Sequence, residues 1–248
     1  EKNNVRKDDG VACLIITPTR ELAYQIFEVL RKVGKYFEFS AGLIFGGKDL
    51  IEESKYIKSI NILVATPGRL LQHMDQTLLF DCYNLKILVI DEADKIMELD
   101  FADTINGILE NLPSNRQTLL FSATMNKFVN QLANLSLKNP IILNAHEDSK
   151  FVTPNKLNQF YSVCNLDDKL NFIYSFVKTH FKSKILIFLS CCKQVRYFCK
   201  VLCNFIPGTI IMALYGSQKQ TRRIESFEKF NNKKNCVLLA TDLASRGL

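Results

Sequence analysis

Short apolar runs recur along the chain at residues 11–17, 42–45, 62–65, 87–90, 118–121, 141–143, 185–189, 209–214 and 237–240. Between them lie stretches of helical periodicity. Leu22, Ile26, Leu30 and Val33 form one apolar stripe, and Ile105, Ile108, Leu109 and Leu112 form another. Strands that read as continuous apolar runs are buried on both faces, and their alternation with amphipathic helices predicts a parallel α/β architecture.

The residues that follow each run carry the next signal. Pro18-Thr19-Arg20 follows the first run and Gly46-Gly47-Lys48 the second. Thr66-Pro67-Gly68-Arg69, Asp91-Glu92-Ala93-Asp94 and Ser122-Ala123-Thr124 follow the next three. Small, hydroxylic and charged residues therefore gather at the carboxyl ends of the strands, the edge where a doubly wound sheet binds ligands. General loop polarity accounts for one or two such turns, not five in succession. Residues 144–156 break the rhythm with a polar stretch around Pro154 and read as an interdomain linker. The alternation then restarts, with Ser190, Gly216-Ser217-Gln218 and Thr241-Asp242 at the later strand ends. The expected division is a first domain over 1–146, a linker over 147–156 and a second domain over 157–248.

Composition narrows the class. The chain has 248 residues, 47% hydrophobic and 23% charged, which suits one large or two ordinary globular domains. No apolar run approaches the roughly 20 residues of a membrane helix, and the polar first ten residues do not read as a secretory signal. A formal charge of +7 permits an anionic partner such as nucleic acid. Eight cysteines occur, none in a Cys-x-x-Cys pair, so reduced thiols in a reducing intracellular compartment are expected in place of zinc.

One apparent motif fails on inspection. Gly42, Gly47 and Lys48 match the GxxxxGK spacing of a phosphate-binding loop. Asp49, however, stands where Mg²⁺ coordination wants Ser or Thr, and the intervening residues read as a buried strand. The acids are stronger. Asp91 and Glu92 at a strand end suit a metal ligand and a water-activating base, although acids also favour a first helical turn. Ser122 and Thr124, at the end of the next strand, carry hydroxyls suited to hydrogen-bond those acids. Thr19 and the Thr66-Pro67 pair open helices, where capping and phosphate binding compete as explanations. Gly46-Gly47 permits close approach of a ligand to the backbone.

Taken in order, these motifs resemble the core of the DEAD-box RNA helicases over nearly the whole chain. Residues Pro18 to Ala23 are similar to motif Ia, Gly46-Gly47 to the GG motif and Thr66 to Arg69 to motif Ib. Asp91 to Asp94 resemble motif II and Ser122 to Thr124 motif III. Residues 187–190 resemble motif IV, residues 220–223 QxxR and residues 240–248 motif V. The resemblance implies two RecA-like parallel-sheet domains in tandem, closing over ATP, Mg²⁺ and RNA. Asp91 would hold Mg²⁺, with Glu92, Asp94, Ser122 and Thr124 completing the catalytic set. Asp242, Arg246 and Gly247 would lie on the nucleotide side of the second domain. RNA backbone would meet Pro18, Thr19, Arg20, Gly46, Gly47, Thr66, Pro67, Gly68 and Arg69 from the first domain. Ser190, Gln220, Arg223 and Thr241 would meet it from the second. Such contacts favour RNA over DNA without reading sequence.

The family's Q motif and phosphate-binding loop would precede Val11, and its arginine-finger motif would follow Leu248. The expectation is a piece of a longer helicase, inactive by itself as an ATPase; the rival is a non-catalytic RNA clamp derived from a helicase. Lys219-Gln220-Thr221, together with Ser122 to Met125 and residues 135–140, resembles the nucleolar ribosome-assembly branch. That likeness implies rRNA processing, a nuclear and nucleolar location, pre-ribosomal protein partners, no membrane and a monomer.

Overall fold

The computed structural model describes residues 9–78, 80–144, 153 and 156–242. Its contacts divide the chain after Lys138 into two compact units, each an α/β sheet with helices. The linker expected over 147–156 lies almost wholly outside the described residues, as do Arg246 and Gly247.

In the first unit the strands are β1 (Cys13–Ile16), β2 (Ala41–Ile44), β3 (Ile62–Ala65), β4 (Ile87–Ile90) and β5 (Gln117–Leu120). They pair in parallel in the order β2-β3-β1-β4-β5. The register is even. Ile16 pairs with both Ala65 and Ile90, Ile44 with Ala65, and Ile90 with Leu120, so all five strands end on one rung. Six helices connect and cover them: α1 (Arg20–Val33), α2 (Leu50–Ile57), α3 (Pro67–Gln76), α4 (Ala93–Glu98), α5 (Ala102–Glu110) and α6 (Lys127–Ser136). Leu14, Ile16, Leu63, Leu88 and Ile90 are fully buried in a core that also takes Leu70, Ile96, Ile105 and Ile108 from the helices. Burying a side chain of this size contributes about 1.5–3 kcal/mol, so the central strands anchor the unit.

The second unit holds α7 (Lys169–Thr179), β6 (Lys184–Phe188), α8 (Cys192–Phe205), β7 (Ile211–Leu214), α9 (Gln220–Asn232) and β8 (Cys236–Ala240). Its three strands are parallel in the order β6-β8-β7. Val237, Leu239 and Leu202 lie in one core cluster, and Leu238, Leu214 and Ala240 in another.

One expected strand is absent. Residues 141–143 take no ladder, and Ile141, Ile142 and Leu143 are all well exposed. Three apolar residues after Pro140, which has no N–H to donate, gain too little from pairing to order an edge.

The phosphate-loop spacing is resolved by the same core. Gly42 lies inside β2 and is buried, and a Cβ there would collide with the Ile60 side chain. Lys48 lies over the Phe45 ring, its Nζ 4.7 Å from the ring centroid. Gly42 is thus a packing glycine, which explains its place in the motif without any phosphate. Gly42→Ala is expected to destabilise the unit by about 1–3 kcal/mol through overpacking, with recovery when Ile60→Val is added. Urea unfolding of the single and double variants measures this, and an unaffected Gly42→Ala would contradict the packing role.

Candidate functional site

Because the strands end together, residues one step beyond them share an edge. Asp91 donates its backbone N–H to the Ile16 carbonyl (2.9 Å), Thr17 donates to Ala65 (3.1 Å), Thr66 to Ile44 (3.2 Å) and Phe121 to Ile90 (2.8 Å). The ladder thus runs one residue past the strands and delivers each motif to the same side.

At the centre, Asp91 is half-buried and its Oδ1 accepts from the Glu92 N–H at 2.9 Å. Burial raises its pKa, the Glu92 amide opposes the shift, and the Asp94 charge adds to it. Glu92 sits at φ +50°, ψ +52°, a left-handed conformation costing a non-glycine residue on the order of 1–3 kcal/mol. That turn changes the strand directly into α4. Asp94, fully buried, accepts from the Lys95 N–H through Oδ1 (3.0 Å) and from the Thr124 hydroxyl through Oδ2 (3.0 Å). Thr124 therefore binds the acidic motif as its hydroxyl suggested. Ser122 does not: its hydroxyl donates to the Thr124 carbonyl at 2.7 Å and shapes the turn.

The second cluster surrounds the glycines. Thr19 caps α1, its Oγ1 accepting from the Leu22 N–H at 3.3 Å. Pro18 is buried, and Arg20 reaches across so that its Nη2 is 3.3 Å from the place a Cβ on Gly46 would take. Gly47 has φ +100°, which a side chain rarely tolerates. Thr66 is the N-cap of α3 with Pro67 at its start, and Gly68 is exposed.

Arg69 differs from its expected role as a phosphate ligand. It is buried, and each guanidinium nitrogen already has a partner: Nε donates to Glu53 Oε2 (2.6 Å), Nη1 to Gln72 Oε1 (3.0 Å) and Nη2 to the Lys48 carbonyl (2.7 Å). Glu53 Oε2 also meets His73 Nε2 at 3.1 Å, and His73 Nδ1 meets Thr77 Oγ1 at 2.7 Å. With Nε2 protonated, a neutral imidazole donates to Glu53 and accepts from Thr77. Arg69 thus braces the loop after Gly47 from beneath. Glu53 and His73 belong to none of the sequence motifs, yet the sequence carries a signal for them. Glu53 shares a helix face with Leu50 and Ile57, a core-facing place for a carboxylate, and Arg69, His73 and Thr77 form an i, i+4, i+8 stripe.

In the second unit, Ser190 is exposed and donates to Gln194 Oε1 (3.1 Å). Thr241 is buried and its N–H donates to the Leu214 carbonyl (3.2 Å), with Asp242 exposed beside it. Gln220 opens α9 partly buried, and Arg223, expected to meet RNA backbone, is buried within its first turns. Gln218, expected at this strand end with Gly216 and Ser217, folds its side chain back. It accepts from the Tyr215 N–H (2.9 Å) and donates to the Ala213 carbonyl (3.0 Å), closing the turn after β7.

The donor set fits a hard cation coordinated sparingly. Among the described residues no group of three or more His, Cys, Asp or Glu converges. Mg²⁺ beside phosphates takes only one or two carboxylates and fills the rest with phosphate oxygens and water. Asp91, with a carboxylate made costly by burial, is suited to that part. Burial pushes the half-buried Cys13 thiol up to about 11 and the buried Cys82 thiol to about 12, which disfavours the reactive thiolate.

Residues 2–132 match the DEAD/DEAH box helicase family and residues 168–248 the helicase conserved C-terminal domain. The chain is 57% identical over 240 residues to the human "Probable ATP-dependent RNA helicase DDX10", covering 97% of this chain and 27% of that protein. It is 52% identical over 241 residues to "ATP-dependent RNA helicase DBP4" of Mycosarcoma maydis, covering 97% and 26% respectively. The chain thus spans about a quarter of the length of the curated relatives it matches. Among solved structures it is similar to "DEAD-box helicase Mss116 bound to ssRNA and UDP-BeF" (TM-score 0.88, 25% identity, covering 97% of this chain and 52% of that one). It is also similar to "S. cerevisiae Dbp5 bound to RNA and ADP BeF3" (TM-score 0.80, 25% identity, covering 98% and 61%).

Two expectations follow from the geometry. Glu53→Gln and Arg69→Ala each break a buried ion pair and are expected to cost about 3–5 kcal/mol, seen as a large fall in urea midpoint. Loss of RNA affinity with unchanged stability in Arg69→Ala would restore it as a phosphate ligand. Asp91→Asn is expected to raise the melting temperature near neutral pH. The folded-state pKa of Asp91 lies above its unfolded value, so its stabilising contribution is full below the unfolded pKa and lost as pH rises through the folded one. The variant, fixed in a neutral form, keeps what the wild type loses, and the gap is expected to close toward pH 3. A lower melting temperature for Asp91→Asn at neutral pH would refute this.

Proposed function

The chain belongs to the DEAD/DEAH box helicase family, and from that premise we propose that the whole protein is an RNA-dependent ATPase that unwinds short duplexes or remodels RNA–protein complexes. The observation that carries this reading is the placement of the Asp91-Glu92 pair at the end of a central strand, with Asp94 of the same motif bonded to Thr124 of the next strand's turn. A clamp that only held RNA would have no use for two adjacent carboxylates at that point.

The residue roles follow from chemistry at this edge. Asp91 would hold Mg²⁺ with its half-buried carboxylate, and the ion would supply neutralisation of phosphate charge. Glu92, aimed by its left-handed backbone, accepts the proton of the attacking water. Asp94 and Thr124 keep the acid turn and the β5 turn in fixed relation, with Ser122 holding the shape of the latter. RNA phosphates and 2′-hydroxyls are contacted by the Thr19, Gly46-Gly47 and Thr66-Gly68 turns of the first unit, and by Ser190, Gln220 and Thr241 of the second. Backbone contacts of this kind position RNA and carry no sequence information. Arg69 supports the first set from below.

Ribosome assembly in the nucleolus is the biological setting we propose. It is supported by the Lys219-Gln220-Thr221 signature and by the high identity to relatives named DDX10 and DBP4. Depletion of the protein is then expected to stall small-subunit rRNA precursors.

Glu92→Gln in the full-length protein is expected to abolish ATP hydrolysis, with ATP and RNA affinities within a few-fold of wild type. The substitution keeps shape and removes the base. Steady-state ATPase assays with RNA, paired with filter binding, decide it; turnover within a few-fold of wild type would remove Glu92 from the role.

A further inference from the structure

The second unit is electrically lopsided. Its strands are parallel, so three connections, α7–β6, α8–β7 and α9–β8, all arrive at the amino-terminal edge, opposite the edge that carries Ser190, Gln218 and Thr241. A five-residue strand separates the two edges by roughly 15 Å. The amino-edge segments 178–184, 204–210 and 229–235 contain six lysines and no aspartate or glutamate. By contrast, the connections at the other edge, 189–191, 215–219 and 241–242, hold one lysine and one aspartate.

Register brings the two lysine-bearing loops side by side. Lys184 pairs with Cys236 at the start of β6 and β8. The Asn235 amide, oriented to donate, bonds the Lys182 carbonyl at 2.6 Å and the Lys234 carbonyl at 3.1 Å. Lys182, Lys233 and Lys234 are exposed. Part of this charge is structural. Lys184 lies over the Phe230 ring (4.6 Å) and donates to the Asn231 carbonyl (3.2 Å), and lysines near the ends of α7 and α9 complement the helix dipoles. Those dipoles amount to about half a charge each, too little to balance the patch.

Aromatic rings lie among the cations. Phe176 and Phe205, in the last turns of α7 and α8, are 45% and 66% exposed, and Phe181 is 55% exposed beside Lys182. His180 stacks on Phe176 with centroids 4.3 Å apart, and the Lys182 ammonium lies 5.7 Å from the Phe181 centroid. A cationic surface set with exposed rings is how proteins hold single-stranded nucleic acid without regard to sequence: ammonium groups meet phosphates, and rings accept bases. An acidic polypeptide would use the lysines alone, whereas a single strand also uses the exposed Phe181 and Phe205 rings.

We propose that the amino-terminal edge of the second unit is a second RNA-binding surface, holding a flanking single strand through Lys182, Lys233, Lys234 and Phe181. It rests on the reading that the protein binds RNA at the opposite edge, and adds a site that this edge does not contain. A strand reaching both gains affinity through high local concentration, so its effect grows with RNA length.

The test uses the full-length protein and two oligouridylates, one just long enough for the carboxyl-edge site and one several-fold longer. Wild type is expected to bind the longer strand more tightly and with a steeper dependence on salt. In Lys182→Gln/Lys233→Gln/Lys234→Gln the slope for the longer strand is expected to fall by about two, given about 0.7 per phosphate contact on single strands. Short-strand affinity and RNA-saturated ATPase stay at wild-type values. Phe181→Ala is expected to weaken only the long strand, by about five-fold or more. An unchanged slope and affinity for the long strand in the triple variant would overturn the proposal, as would equal loss for both lengths. So would a loss confined to binding of poly-glutamate, which would assign the patch to an acidic protein. Failure of wild type to bind either RNA would instead refute the RNA-binding reading itself.

Discussion

Everything at the candidate site depends on five parallel strands ending on one rung. Hydrogen bonding in a parallel ladder leaves no freedom to slide one strand without moving its whole apolar set. Here the buried residues Ile16, Ile44, Ala65 and Ile90 occupy the last rung with Leu120. A one-residue slip of β4 would bury Asp91 in place of Ile90 and take Glu92 to the strand end. The apolar core thus sets the position of the acids to within one residue, and the chemistry inherits that accuracy.

Above that rung the site is held by a small number of polar contacts of two kinds. The Asp94–Thr124 bond lies close to the acids and joins two turns that the sheet has already placed side by side. The Arg69–Glu53–His73–Thr77 series is buried and gathers residues from α2, α3 and the turn after α3. A buried ion pair adds little net stability against an apolar alternative, but breaking it leaves a desolvated charge. Its value here is geometric: the Lys48 carbonyl is fixed by Arg69 just beyond a glycine that holds a left-handed φ. The glycine-rich turn is therefore a supported, preformed surface, and little conformational entropy remains to be lost when a ligand meets it.

The second unit repeats the architecture with a different distribution of charge. Gln218 and the Thr241 amide shape its carboxyl edge through uncharged hydrogen bonds, while its lysines concentrate at the other end of the strands. Parallel topology makes such a separation simple. All incoming connections share one edge and all outgoing connections the other, so two surfaces with different demands evolve on separate loops.

Much of this was legible without coordinates. Apolar runs marked all eight strands of the described residues to within two residues; the central strands, buried on both faces, need uninterrupted apolar sequence, whereas the edge strand β5 alternates exposed and half-buried residues. The acid pair, the Ser-Ala-Thr turn and the paired glycines stood at strand ends, where the chemistry of an α/β sheet is local in sequence. The false strand at 141–143 failed because three apolar residues look alike whether or not a neighbour exists to pair with them. Glu53, His73, the turn-closing role of Gln218 and the true orientation of Arg69 were not legible, since each depends on partners 16 to 21 residues away or on a side chain folding back on its own turn. The sequence by itself determined which segments are strands, in what order they come and which reactive groups follow them, because those properties depend on neighbouring residues. Only the tertiary structure decided which charges face outward and which are consumed as internal braces, because a guanidinium is directed by whichever carboxylate and carbonyl the packing of helices brings within reach.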